Sequence, residues 1–230
     1  MLQQTQVERV RTKYVEFLAA FPDFAALAGA RFQAVLAAWQ GLGYNRRAIA
    51  LHRCAQAVME RHGGLLPDDV TALETLPGIG PYTARAIAAF AYGRPTVFIE
   101  TNIRTAFIHH FFHDRQGVRD GEILPLVAAT RDDAAPRDWY YALMDYGVML
   151  KKEHGNPGRK SAHHVRQSPF KGSNRELRSR ILKEILANPG VTEAEIVAIL
   201  GADGEAARNN LARMEKEGFI YREGNKLKIR

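Results

Sequence analysis

Cysteine is almost missing from this chain. Cys54 is the single one in 230 residues. That excludes an internal disulfide and any metal centre that needs several thiolates from one chain. Lysine is missing from a long stretch: none occurs between Lys13 and Lys151. Chemistry that needs an amine nucleophile therefore has none to draw on there. No long charge-free apolar run is present, which excludes a membrane-spanning helix, and no alternating strand pattern precedes residue 215. Met1 leads through one leucine into Gln3, Gln4 and Thr5, unlike a signal peptide.

The charge that is present is lopsided. Thirty-two Lys and Arg face 25 Asp and Glu, a net charge of +7 and a pI near 9.6. That fits a polyanionic partner, or simply a basic soluble protein, since net charge names no partner. With 46 % apolar residues the chain has core enough for one large domain and a small one.

The first 150 residues read as all-α. Val7, Val10, Tyr14, Phe17 and Leu18 share one face of a helix from Gln4 to Ala20, broken at Phe21-Pro22-Asp23. Further helices are expected over Arg31–Trp39, Arg46–Arg61, Glu100–His113, 121–130 and 137–150. Between two of these lies Pro77-Gly78-Ile79-Gly80, with Val70, Leu73 and Leu76 at helical spacing before it. After it come Pro81, suited to a first helical position, then Ala84, Ile87, Ala88 and Ala91. Two close glycines let the backbone turn tightly and leave amides at a helix N-terminus, a cradle for one phosphate. An ordinary helix–helix connection has the same local pattern. Twenty residues beyond Gly80, Glu100 opens a polar run, Glu100-Thr101-Asn102, after Val97-Phe98-Ile99.

These motifs, in this order, resemble the helix-hairpin-helix DNA glycosylases. Met1-Leu2-Gln3-Gln4-Thr5, Gly41-Leu42-Gly43-Tyr44 and Trp139 to Gly147 are similar to the adenine-glycosylase branch. The resemblance runs from Met1 to about Leu150. It implies that Glu100 stands where the family's catalytic carboxylate, usually Asp, supports a cationic sugar. The same residue type also suits a helix N-terminus. Tyr82 occupies the position where strand-nicking members carry a lysine, which implies a monofunctional enzyme with Tyr82 in the catalytic site beside Glu100, as a pocket wall or a hydroxyl near the flipped sugar rather than an acid or base. Gln3, Gln4, Thr5, Gly78, Ile79, Gly80, Thr83, Asn102 and Arg104 are the implied DNA contacts. Arg46, Arg47 and Arg85 are further candidates, and Asp145 reads as a structural acid on a buried helix.

Two departures from the family pattern stand out. The adenine branch has a catalytic Glu just before its Met-Leu-Gln-Gln-Thr segment, whereas this sequence opens at Met1, so the N-terminal part of the domain is expected to be truncated. The usual four-cysteine iron–sulfur loop corresponds to 149–171, which holds no cysteine, so no cluster is expected. No acidic or thiol partner completes a site with His109, His110 and His113, and no metal is expected.

Residues 151–173 are basic and rich in Gly, Pro and Ser, and read as a linker that can also track DNA. The C-terminal 174–230 holds three helical patterns and an alternating hairpin around Gly224-Asn225, similar to an α+β winged helix. Its third helix carries Arg208, Asn209, Asn210 and Arg213 beside Glu205, Glu215 and Glu217; such units bind DNA or protein. The expected protein is a monomeric, cytoplasmic, nucleoid-associated base-excision glycosylase. Its expected partner is duplex DNA with a mismatched or damaged base, adenine opposite guanine or oxidised guanine foremost. The competing expectation is a lesion-binding module with little or no catalysis.

Overall fold

A computed structural model describes residues 1–2, 5–166, 168–201 and 204–230; Gln3 and Gln4 lie outside them. No described helix is long and apolar enough to cross a membrane. The chain opens with α1 (Val7–Ala20), burying Val10 and Phe17. A helix absent from the periodicity follows, α2 (Phe24–Gly29). Six residues are too few to show a period. Asp23 caps it, accepting from the Ala26 N–H at 2.7 Å. Then come α3 (Phe32–Ala38) and α4 (Arg46–His62), which left-handed Gly63 ends.

The middle of the chain begins with α5 (Val70–Glu74), capped by Asp69, and α6 (Pro81–Tyr92). After an extended segment, α7 (Thr101–Phe111), α8 (Asp120–Thr130) and α9 (Pro136–Glu153) follow. Their shared core includes Phe98, Ile103, Phe107, Ile123 and Tyr140. The last helix outruns its expected end at 150. Lys151 and Lys152 in its final turn complement the negative end of the helix dipole. Where α7 crosses α9, contact is close: a Cβ added at Gly147 would stand 2.3 Å from the Asn102 carbonyl oxygen.

The C-terminal part is α10 (Asn174–Ala187), α11 (Glu193–Leu200), α12 (Gly204–Glu217) and the antiparallel pair β1 (Ile220–Glu223) and β2 (Lys226–Ile229). Its register pairs Ile220 with Ile229 and Glu223 with Lys226. Thr192 and Glu195 cap α11 reciprocally, as their spacing predicts.

Compactness divides the chain differently from composition. One unit joins Met1–Leu65 to Ser168–Arg230; the other is Leu66–Gln167. The C-terminal helices and hairpin share a core with the N-terminal helices, with Phe219 6.3 Å from Phe32 between ring centroids. Glu217 on α12 pairs with Arg46 on α4 and Arg178 on α10. Burial alone would raise the Glu217 carboxyl, but hydrogen bonds from both guanidinium groups outweigh it and hold it below its usual range. The expected linker is packed in its first part. Pro157–Lys160 forms a 3-10 turn against α7, where a Cβ at Gly158 would meet Thr105 Oγ1 at 2.8 Å. The Val118 N–H then donates to Lys160 O at 3.0 Å, and Val118 O accepts from the Ala162 N–H at 2.8 Å. Glycine and proline serve close packing here as well as flexibility.

Candidate catalytic and nucleic-acid site

The hairpin forms as its residues require. Gly78 adopts φ +77°, a conformation other residues rarely take, and the Ile79 N–H closes the turn on Leu76 O at 3.1 Å. Gly80 is the N-cap of α6 and Pro81 its first residue. The Ala84 N–H bonds back to Gly80 O at 2.9 Å, and the amides of a helix's first turn have no carbonyl of their own helix to reach. Gly78 and Gly80 are exposed, Ile79 half-buried, and Thr83 half-buried on the first turn. Arg85 is turned to the hairpin itself, donating to Glu74 at 2.8 Å and to Pro81 O at 2.9 Å.

Glu100 reaches its place through the segment before it. Tyr140, fully buried, donates its hydroxyl to Thr96 O at 2.8 Å and accepts the Phe98 N–H at 3.3 Å. Its ring stacks on Phe98 at 4.0 Å, and Tyr82 meets the other edge of Phe98 at 5.7 Å. This aromatic column fixes 96–98 against α9 and delivers Glu100 as the N-cap of α7. One carboxylate oxygen, Oε2, accepts the Asn102 N–H at 2.5 Å; the other, Oε1, has only a 3.4 Å approach from Asn102 Nδ2. Among the described residues Glu100 has no ion-pair partner within 4.0 Å. The capping role and a half-free carboxylate coexist.

Tyr82 remains 38 % exposed at this site. Partial burial and then the Glu100 charge push its phenol above the usual value, so it stays neutral at physiological pH. Lys151 was not singled out from the sequence, because it falls at the start of the supposed linker. The extra turn of α9 brings its Nζ to Asn102 Oδ1 at 2.5 Å. Burial lowers its pKa, the Glu100 charge opposes that, and Arg104 adds to it.

Other expected contacts are engaged by protein groups. Arg104 is held by Asp120 in a two-pronged pair, Nε and Nη2 each at 2.7 Å, which keeps that carboxyl below its usual range. Thr5 donates to Leu42 O at 3.1 Å and accepts from Arg47 at 2.8 Å. Arg47 also donates to Met1 O and lies over Trp39 and Tyr44, and Arg46 pairs with Glu217. Asp145 is exposed, against the expectation of a structural acid on a buried helix face; its position on α9 points away from the buried Gly147 and Leu150. His110 lies 2.7 Å from the Tyr146 hydroxyl and His113 beside Asp114. On α12, Arg208, Asn209, Arg213 and Lys216 are exposed. Asn210 is not on that face: it is buried, donating to Asn174 Oδ1 at 2.7 Å.

The chain is similar to known proteins. Residues 1–122 match the model of the HhH-GPD superfamily base excision DNA repair proteins, and 174–221 match a winged helix-turn-helix DNA-binding family. The adenine DNA glycosylase of Mycolicibacterium smegmatis is 41 % identical over 155 residues, 65 % of this chain and 52 % of that one. The human adenine DNA glycosylase is 40 % identical over 154 residues, 65 % of this chain and 28 % of that one. The chain thus spans about half, or less, of the length of these curated relatives. In fold it is similar to a thermostable thymine-DNA glycosylase, with TM-score 0.58 and 20 % identity over 68 % of this chain and 73 % of that one. It is also similar to endonuclease III in a non-covalent DNA complex, at TM-score 0.57 and 15 % identity over 66 % and 71 %.

Proposed function

Because the chain belongs to the HhH-GPD superfamily of base excision DNA repair proteins, we propose that it excises a mismatched or damaged base from duplex DNA. Adenine opposite guanine or oxidised guanine is the favoured target, by likeness to the adenine glycosylases. The observation that carries this reading is Glu100, fixed by its cap and by the aromatic column, with one oxygen only loosely held.

A base inside a duplex is out of reach, so its nucleotide must first turn out into a pocket. The first-turn amides of α6 and the hairpin backbone cradle a phosphate beside the lesion. Tyr82 forms an aromatic wall of that pocket, its phenol held neutral. As the N-glycosidic bond breaks, the sugar becomes cationic and Glu100 Oε1 stabilises it. Water then adds its hydroxyl to the sugar carbon while the base, which leaves with the bonding electron pair, takes up the proton, without a covalent enzyme intermediate. The four-cysteine iron–sulfur loop that the family resemblance implies does not fit this chain, whose sole thiol, Cys54, is buried in α4. The exposed Arg208, Asn209, Arg213 and Lys216 of α12 suit DNA in a groove, beside the exposed acids Glu205 and Glu215. The protein acts as a cytoplasmic monomer on this reading.

A second reading, recognition without excision, is favoured by Glu100 itself, one methylene longer than the usual Asp. Glu100→Gln decides between them. Excision under single turnover should nearly vanish while duplex affinity holds, because the lost charge acts only in the transition state. A folded variant that excises as fast as the wild type would remove Glu100 from the chemistry. A wild type inactive on every mispaired and damaged duplex would leave recognition alone.

A further inference from the structure

We propose that Lys151 is a positioning residue for the Glu100 carboxylate, acting through the side chain of Asn102. The assignment rests on the excision reading above.

Asn102 sits between two opposite charges. Its carboxamide oxygen accepts from Lys151 Nζ at 2.5 Å, while its Nδ2 approaches Glu100 Oε1 at 3.4 Å and its backbone N–H binds Glu100 Oε2 at 2.5 Å. An ammonium offers only donors and a carboxylate only acceptors, so the two hold opposite ends of one amide and fix its rotation. With the amide fixed, Glu100 meets two N–H groups at set angles. The arrangement also keeps the ammonium from pairing directly with the carboxylate, which stays available to a cationic sugar. A lysine in direct contact would cancel the charge that the reaction needs.

The backbone supports the same chain of contacts. Gly147 lies one turn before Lys151 on α9 and touches the Asn102 carbonyl, so α9 approaches Asn102 at two successive turns. Partial burial of the amine removes competing water and strengthens its bond to the amide.

The test uses the full chain and three variants: Lys151→Met, Lys151→Arg and Asn102→Ala. Single-turnover excision from a duplex with adenine opposite oxidised guanine, duplex affinity, and the nitrogen-15 resonance of the Asn102 carboxamide are measured. Lys151→Met should slow excision on the order of 10- to 100-fold, the scale of a carboxylate misplaced by up to 1 Å, with affinity unchanged. Lys151→Arg, still a donor, should recover most of the rate. On an Asn102→Ala background, Lys151→Met should add no further loss. The Asn102 carboxamide resonance should move in Lys151→Met and return in Lys151→Arg. An unchanged rate in Lys151→Met, or a slowed rate with an unmoved resonance, overturns the proposal. So does borohydride trapping of DNA on Lys151, which would make the amine a nucleophile. A wild type that excises nothing sinks the excision reading alone; the resonance then decides whether Lys151 holds Asn102.

Discussion

Gly147→Ala is a small change with a large expected consequence. The added Cβ would lie 2.3 Å from the Asn102 carbonyl oxygen, 2.7 Å from its carbonyl carbon and 2.8 Å from its Cβ. Ordinary carbon–oxygen contacts lie at roughly 3.3–3.6 Å, so α7 and α9 must part by about 1 Å. The atom struck first is backbone, and no side-chain rotation relieves it. Overpacking of this kind costs about 1–3 kcal/mol, which lowers Tm by roughly 2–12 °C for a protein of this size. Asn102 donates the amide that binds Glu100, so the carboxylate moves with it. A shift of about 1 Å lowers the excision rate on the order of 100-fold. The hairpin between α5 and α6 is untouched, and duplex affinity should hold. Thermal unfolding, single-turnover excision and a binding titration read the three effects separately. Removing the neighbouring side chain with Asn102→Ala should give no relief, since the carbonyl remains. Gly147→Ala with wild-type Tm and a rate within about twofold of wild type would refute the view that this crossing sets the carboxylate.

Three further outcomes are expected. Glu217→Gln should flatten the acid limb of stability: the wild-type carboxyl titrates below the ordinary 4.5, so its contribution is full above that value and is lost as pH falls through the lower, folded-state pKa. Urea midpoints measured from pH 7 down to 3 check this, and parallel profiles for the two proteins would contradict it. Tyr140→Phe removes the hydroxyl that serves both Thr96 O and the Phe98 N–H and should cost about 1–3 kcal/mol in urea unfolding, with no loss if water replaces it. Purified protein should be colourless and free of stoichiometric iron and sulfide, as elemental analysis will show.

The helical half was legible where a period had room to repeat, as in α4 and α6, or where a cap announced itself, as with Thr192 and Glu195. Six-residue α2 was not, for want of length. Glu100 stood out by its distance from the hairpin, and the structure adds what caps it. Lys151 did not stand out, because its role depends on a helix continuing into a stretch whose composition suggests a loop. Arg104 and Thr5 illustrate a general ambiguity. A polar side chain near a binding motif looks the same in sequence whether it faces a ligand or, like these, a neighbouring helix. The junction of the C-terminal unit with α1–α4 left no sequence trace either, since Phe32 and Phe219 are ordinary core residues 187 positions apart by number.

That junction has a consequence for how the protein is made. Synthesis runs from the N-terminus, and α1–α4 leave the ribosome long before β2, the strand that completes their compact unit. At about 5–20 residues per second, residues 66–230 take roughly 10–30 s to follow. Throughout that interval the N-terminal helices lack the partner that covers Phe32, while Leu66–Gln167 emerges whole and is free to fold first. The nascent chain is therefore expected to fold middle first and to depend on chaperones at its beginning, and a premature stop anywhere in the last 57 residues would strand the N-terminal helices rather than merely delete a tail.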